Sequence, residues 1–243
     1  MIIRKLGMKN KNKVMRNMLI GMIGAAICMA ACWLSGAYGE GNVRNGYIQS
    51  NWPKMPFIRF EISLILSGIG IALNYVGLRD YVKLFRYMKR KRGVLNRQMG
   101  SLFEVGAVAY CIAYLFIQSG YIMMALVYKL LFATNLMGAD IISTTEGMFY
   151  YIAIPLFAYL IVSIVGMSVA SIHFIWNGLM RVSRLCILFN PLVFFGLGEL
   201  LKLTKLYYLV DFAAASVPFG MILMMAAGLV GVAKQPNPKP RNR

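Results

Sequence analysis

Six apolar stretches alternate with polar connections along the chain: Met18–Tyr38, Phe57–Leu78, Leu102–Leu126, Met148–Ile172, Leu185–Leu201 and Tyr208–Val232. A helix needs about 20 apolar residues to cross a hydrocarbon core of ~30 Å, and every backbone N–H and C=O then finds its partner within the segment. The pattern predicts an all-α polytopic membrane bundle of six transmembrane helices. The polar connections fix its orientation. With the N-terminus in the cytoplasm, the segments Arg4–Arg16, Arg79–Arg97, Arg181–Arg184 and Lys234–Arg243 lie inside and hold 20 of the 26 basic residues. Cytoplasmic loops are where Lys and Arg are retained, so both termini are expected there. Of the eight acidic residues, only Asp80 and Glu104 fall on that side. The expected layout is a basic cytoplasmic segment at 1–17, a membrane domain at 18–233 with a basic amphipathic inner segment at 79–100, and a disordered basic tail at 234–243.

Composition agrees with this picture. Charged residues make up 14% of the chain, against roughly a quarter in soluble domains. The net charge of +18 is juxtamembrane, where an anionic inner leaflet attracts each positive charge by ~1 kcal/mol. Membrane lipid is therefore the expected partner, and nucleic acid is not. The four cysteines, Cys28, Cys32, Cys111 and Cys186, all fall inside spans, so no disulfide framework is implied. Cys28 and Cys32 lie one helical turn apart. With no further ligands nearby in sequence they read as small packing residues, and no metal or cofactor is expected.

The basic start, the apolar run and Ala30-Ala31-Cys32 resemble a signal peptide, but the run continues through Trp33 and Leu34 to Tyr38. The stretch is read as a retained first span. Small residues at every fourth position (Gly21 and Ala25, Gly166 and Ala170, Ala227 and Gly231) mark surfaces where helices approach closely, within one chain or between copies in a homo-oligomer. In the inner segment, Tyr81, Leu84, Phe85 and Met88 recur at helical spacing among Lys83, Arg86, Lys89, Arg90, Lys91 and Arg92. This segment is expected to continue the second span and then lie along the inner leaflet, touching lipid or a docked membrane partner.

Ionisable residues inside spans are costly and so mark candidate sites. Arg59, Glu61, Glu199 and Asp211 are all expected at one depth near the outer face, where they could form a polar ligand-binding pocket with Arg59 as counter-ion. Helix breaks add to the case. Asn190-Pro191 interrupts the fifth span, and Pro218 lies in the sixth, where it frees the carbonyl of Ala214 close to Asp211. The single histidine, His173, reads as a structural hydrogen-bonder. The chain has no phosphate-binding glycine loop, no His-Glu-x-x-His helix and no Gly-x-Ser-x-Gly turn. Without a catalytic constellation, the reading leans away from an enzyme.

The stretch RVSRLCILFNPLVFFGLGELLKL, Arg181–Leu203, resembles a group of uncharacterised bacterial multi-spanning membrane proteins known only as a domain of unknown function. Its short basic turn at Arg184, Phe189-Asn190-Pro191 and the closing Leu201-Lys202-Leu203 carry the likeness. The resemblance implies a multi-pass protein of the bacterial plasma membrane and no particular activity. The functional expectation is binding or transport of a small polar or lipid-like molecule. The alternative is a non-catalytic partner or scaffold component that docks through the basic inner loop, with an intramembrane enzyme third.

Overall fold

The computed structural model describes residues 8–36, 47–89, 93–134 and 138–234. Among these residues eight α-helices follow in order: α1 (Met8–Ser35), α2 (Phe57–Lys89), α3 (Gly93–Ala133), α4 (Gly138–Met148), α5 (Ile154–Trp176), α6 (Pro191–Lys202), α7 (Tyr207–Ala214) and α8 (Ser216–Ala233). Five helical stretches among the described residues are long and apolar enough to cross a membrane: Lys11–Ser35, Phe57–Tyr81, Leu95–Ala133, Ile141–Trp176 and Ser216–Ala233. The fifth predicted span does not form as one helix. A 3-10 turn at Arg184–Leu188 leads into α6, whose 12 residues rise only ~18 Å. The reason is local. Asn190 Oδ1 accepts hydrogen bonds from the N–H groups of Leu192 and Val193 at 3.0 and 3.1 Å, and its Nδ2 donates to the carbonyl of Ile187 at 2.6 Å. Asn-Pro is thus a helix start, with the cap at Asn190 and proline in the first turn. The sixth predicted span also divides, with Ala215 between α7 and α8.

Both divided segments still run the length of the bundle. Val182 lies beside Gly231, Pro191 against Gly220, and Gly198 against Ser216, so the chain from Val182 to Gly198 climbs antiparallel to α8. The bundle therefore has two distinct ends. At the terminal end, Lys11 Nζ donates to Ala233 O at 2.9 Å, which joins the start of α1 to the end of α8. The same end holds Asn17 hydrogen-bonded to the buried Asp80, and His173 Nε2 at 2.8 Å from Asn96 Oδ1. At the opposite cap end, the segment from Tyr47 to Met55 folds over α3. Buried Trp52 packs edge-on against Tyr121 and Tyr128, and Lys129 Nζ donates to the carbonyls of Pro53 and Met55 at 2.7 and 2.6 Å.

Close packing of α1 on α2 follows from glycine. A Cβ on Gly21 would fall 2.6 Å from the Cα of Gly77, and Gly24 meets the backbone of Gly70 and Asn74. At that approach α2 side chains reach α1 carbonyls. Asn74 Nδ2 donates to Gly21 O at 3.0 Å, and Ser63 Oγ to Ala31 O at 2.7 Å. The core toward the terminal end centres on Tyr81, fully buried, stacked on Phe103 at 5.1 Å and seated over Gly228. Gly106 admits Met167 in the same way between α3 and α5.

The connection between the third and fourth predicted spans, Leu102–Leu126 and Met148–Ile172, is largely helical: α3 reaches Ala133 and α4 begins at Gly138. A π-helical turn, Phe149–Ala153, then joins α4 to α5, where Ile154 N–H bonds back to Phe149 O. Pro155 has no N–H for Tyr151 O one turn back, and a widened turn accommodates that gap. In the inner segment, α2 does continue to Lys89, and residues 93–100 form the first turns of α3 rather than a separate surface helix. Lys83, Arg86 and Lys89 fall on α2, with side chains outside the described set. Arg90, Lys91 and Arg92 lie outside the described residues altogether, as does the chain beyond Lys234.

Candidate functional site

Between the helices, toward the cap end, lies a cavity of about 110 Å³. Its walls come from α1, α3, α5, α6, α7 and α8, and Tyr47 and Gln49 from the cap segment also line it. Leu160, Ile117, Phe157 and Phe195 supply much of the apolar wall. The polar groups are few and grouped. Lys202, only 8% exposed, places Nζ 2.7 Å from Glu199 Oε1, one turn earlier on α6. The Tyr47 hydroxyl donates to that same oxygen at 2.6 Å, and the Lys202 ammonium lies 3.8 Å from the centre of the Tyr47 ring. Tyr47 is held in turn by Phe157 at 5.1 Å and Phe149 at 5.5 Å between ring centres. An ammonium taken out of water is stabilised here by a carboxylate on one side and an aromatic face on another.

A second polar group sits across the cavity on α3. Gln118 Nε2 donates to Ser35 Oγ at 3.2 Å and Ser63 Oγ at 3.0 Å, tying α3 to both α1 and α2. The serine hydroxyls pass the chain on to carbonyls of α1. Tyr114 OH donates to Cys28 O at 3.0 Å, with the Cys32 thiol 3.4 Å away. The cysteines are free thiols in this setting.

The four ionisable residues marked in the sequence separate. Glu199 lines the cavity. Arg59 and Asp211 lie at its rim around Gly36. Arg59 Nη2 donates to Gly36 O at 3.2 Å, and Trp33 Nε1 donates to the Asp211 backbone carbonyl at 2.9 Å. Arg59 is near enough for its charge to act on the Asp211 carboxyl. Glu61 is exposed on the outside of α2. Two residues along a helix turn a side chain by about 200°, so Glu61 cannot share the face of Arg59. Of the marked breaks, Pro218 lines the cavity beside Ala214, whereas Asn190 and Pro191 cap α6 away from it.

Sequence reasoning missed Lys202, Gln118, Tyr47 and Gln49. Two of these had a signal: Gln118 is the sole amide in the apolar run Leu102–Leu126, and Lys202 stands three residues after Glu199 on a helix. Tyr47 and Gln49 had none, because the cap segment reaches the cavity only through the tertiary fold. Among the described residues no group of three or more His, Cys, Asp or Glu side chains is placed to hold a metal ion.

These features define an all-helical protein with helices long and apolar enough to cross a membrane and a polar-lined cavity between them. The chain belongs to a family of unknown function, DUF6796, which it matches over residues 8–235. No curated protein matches it. No solved structure matches it either.

Proposed function

We propose that the chain is a multi-pass membrane protein, both termini cytoplasmic, that binds a small polar molecule in the cavity near its outer face. The orientation is supported by the basic residues at the terminal end, among them Lys11, Arg16, Arg79, Arg97, Arg181 and Arg184. The contact between Lys11 and Ala233 favours an even number of passes, with the chain from Val182 to Lys202 as a broken fifth crossing that brings the total to six. Interrupted segments beside a cavity are the usual setting for polar ligands at membrane depth.

One observation carries the binding reading: a lysine and a glutamate pair inside a cavity whose remaining walls are largely apolar. As a source of net stability such a pair is weak, since apolar residues of like volume can often replace a buried ion pair at no greater cost. Sites that take small molecules combine apolar walls with a few placed polar groups. Native mass spectrometry of the gently solubilised protein tests it. A defined adduct is expected on the unaltered chain and absent from Ala214→Phe, which fills the cavity. The same adduct on Ala214→Phe, in protein that melts as the parent does, would sink the proposal.

A further inference from the structure

Resting on that reading, we infer that the occupant is a small zwitterion, its carboxylate on Lys202 and its ammonium on Glu199. The inference begins from the open valences of the pair. Among the described residues, both hydrogen bonds received by Glu199, from Tyr47 and from Lys202, fall on Oε1. Oε2 therefore takes no donor from them. Among the described residues Lys202 makes one hydrogen bond, to Glu199, and directs its charge at the Tyr47 ring, which leaves donor capacity on the ammonium. An acceptor and a donor of opposite charge thus stand side by side on the wall. Facing them, Gln118 is nine-tenths buried, and both its hydrogen bonds leave from Nε2. Its Oε1 accepts none from the described residues and is a second acceptor for an ammonium.

Charge balance selects among occupants. The Glu199–Lys202 pair is neutral as a unit, so a lone anion or cation would carry an uncompensated charge between largely apolar walls and would bind more weakly for it. A zwitterion brings none. It lies antiparallel to the pair and makes a charge-assisted hydrogen bond at each end, roughly twice as strong as the neutral bonds an amide could make. Volume limits its size. A buried apolar cavity of about 150 Å³ holds one benzene, so the smaller space here suits about four or five heavy atoms. Glycine, the smallest amino acid, is of that size.

The test uses calorimetric titration of the full-length protein in nanodiscs with glycine, acetate, methylammonium and acetamide. Glycine is expected to bind at least about tenfold more tightly than any of the other three. Glu199→Gln should lower glycine affinity by about tenfold and make acetate the better ligand, because the cavity then carries a net positive charge. The exchange Glu199→Lys with Lys202→Glu keeps the pair and its neutrality, and glycine should bind it within a few-fold of the parent, which guards against loss of folding in the single variant. Equal binding of glycine and either ion or acetamide overturns the proposal, as does glycine affinity unmoved by Glu199→Gln. Failure of all four compounds to bind also overturns it. In that last case an adduct removed by Ala214→Phe would still uphold the cavity as a binding site.

Discussion

The hydroxyl of Tyr47 donates to Glu199 Oε1 at 2.6 Å across 152 residues of chain, and this bond fastens the cap segment to α6. The same tyrosine lays its ring against Lys202 and Phe157, so one side chain closes the cavity and completes its electrostatics.

Removing only that hydroxyl separates the two roles. Tyr47→Phe keeps the ring contacts and loses a hydrogen bond to a charged group, which costs about 1.5–3 kcal/mol. The loss should appear locally, as faster amide hydrogen exchange over residues 47–55, while α1 and α2 keep their protection. Unchanged exchange in the cap would show that Lys129 and Trp52 alone hold it down.

Glycine packing between α1 and α2 gives a paired prediction. Gly21→Val places its new atoms against the Gly77 backbone, and overpacking of this kind costs about 1–3 kcal/mol or more because backbone cannot step aside. Gly68 has nothing within 4 Å of a Cβ position, so Gly68→Ala should leave the melting temperature unchanged or raise it, by up to about 1 kcal/mol of stability. A thermal melt of the two variants side by side is decisive. Equal destabilisation would contradict the close approach.

Capping at Asn190 is a third. Asn190→Ala removes the acceptor for two backbone N–H groups and the donor to Ile187, and should cost about 1–2 kcal/mol. Asn190→Asp keeps the acceptor and should recover most of that. Hydrogen exchange in α6 reads the difference. If alanine and aspartate behave alike, the fold does not depend on the cap.

Orientation can be tested by cysteine labelling in intact cells. Lys54→Cys lies on the exposed cap segment and Lys13→Cys at the exposed start of α1. An impermeant maleimide should reach Lys54→Cys in intact cells and Lys13→Cys only after the membrane is opened. The reverse pattern would invert the proposed topology, and labelling of both in intact cells would refute an even number of passes.

Several features could be read without the fold because they depend on composition over a local window. Apolar runs long enough to span a bilayer, and the crowding of Lys and Arg beside alternate ends of them, need no knowledge of neighbours. Glu199 and Pro218 were also visible, since a charge or a proline inside such a run stands out against its flanks. Depth was the limit of that approach. The sequence puts Arg59, Glu61, Glu199 and Asp211 at one expected level, but level says nothing of rotation, and α2 turns Glu61 to the outside while Arg59 faces Gly36.

The sequence by itself determined that this chain is a bundle of apolar helices with a strong charge bias, because hydrophobic length and charge placement act segment by segment. Only the tertiary structure decided that Asn190 begins a short helix, that α7 and α8 part at Ala215, and that Tyr47, Gln118 and Lys202 meet around one cavity. The physical reason is range. A span is set by the transfer of consecutive residues out of water, whereas a site is set by which helix faces meet, and that depends on glycines such as Gly21, Gly77 and Gly198 that let distant backbones touch.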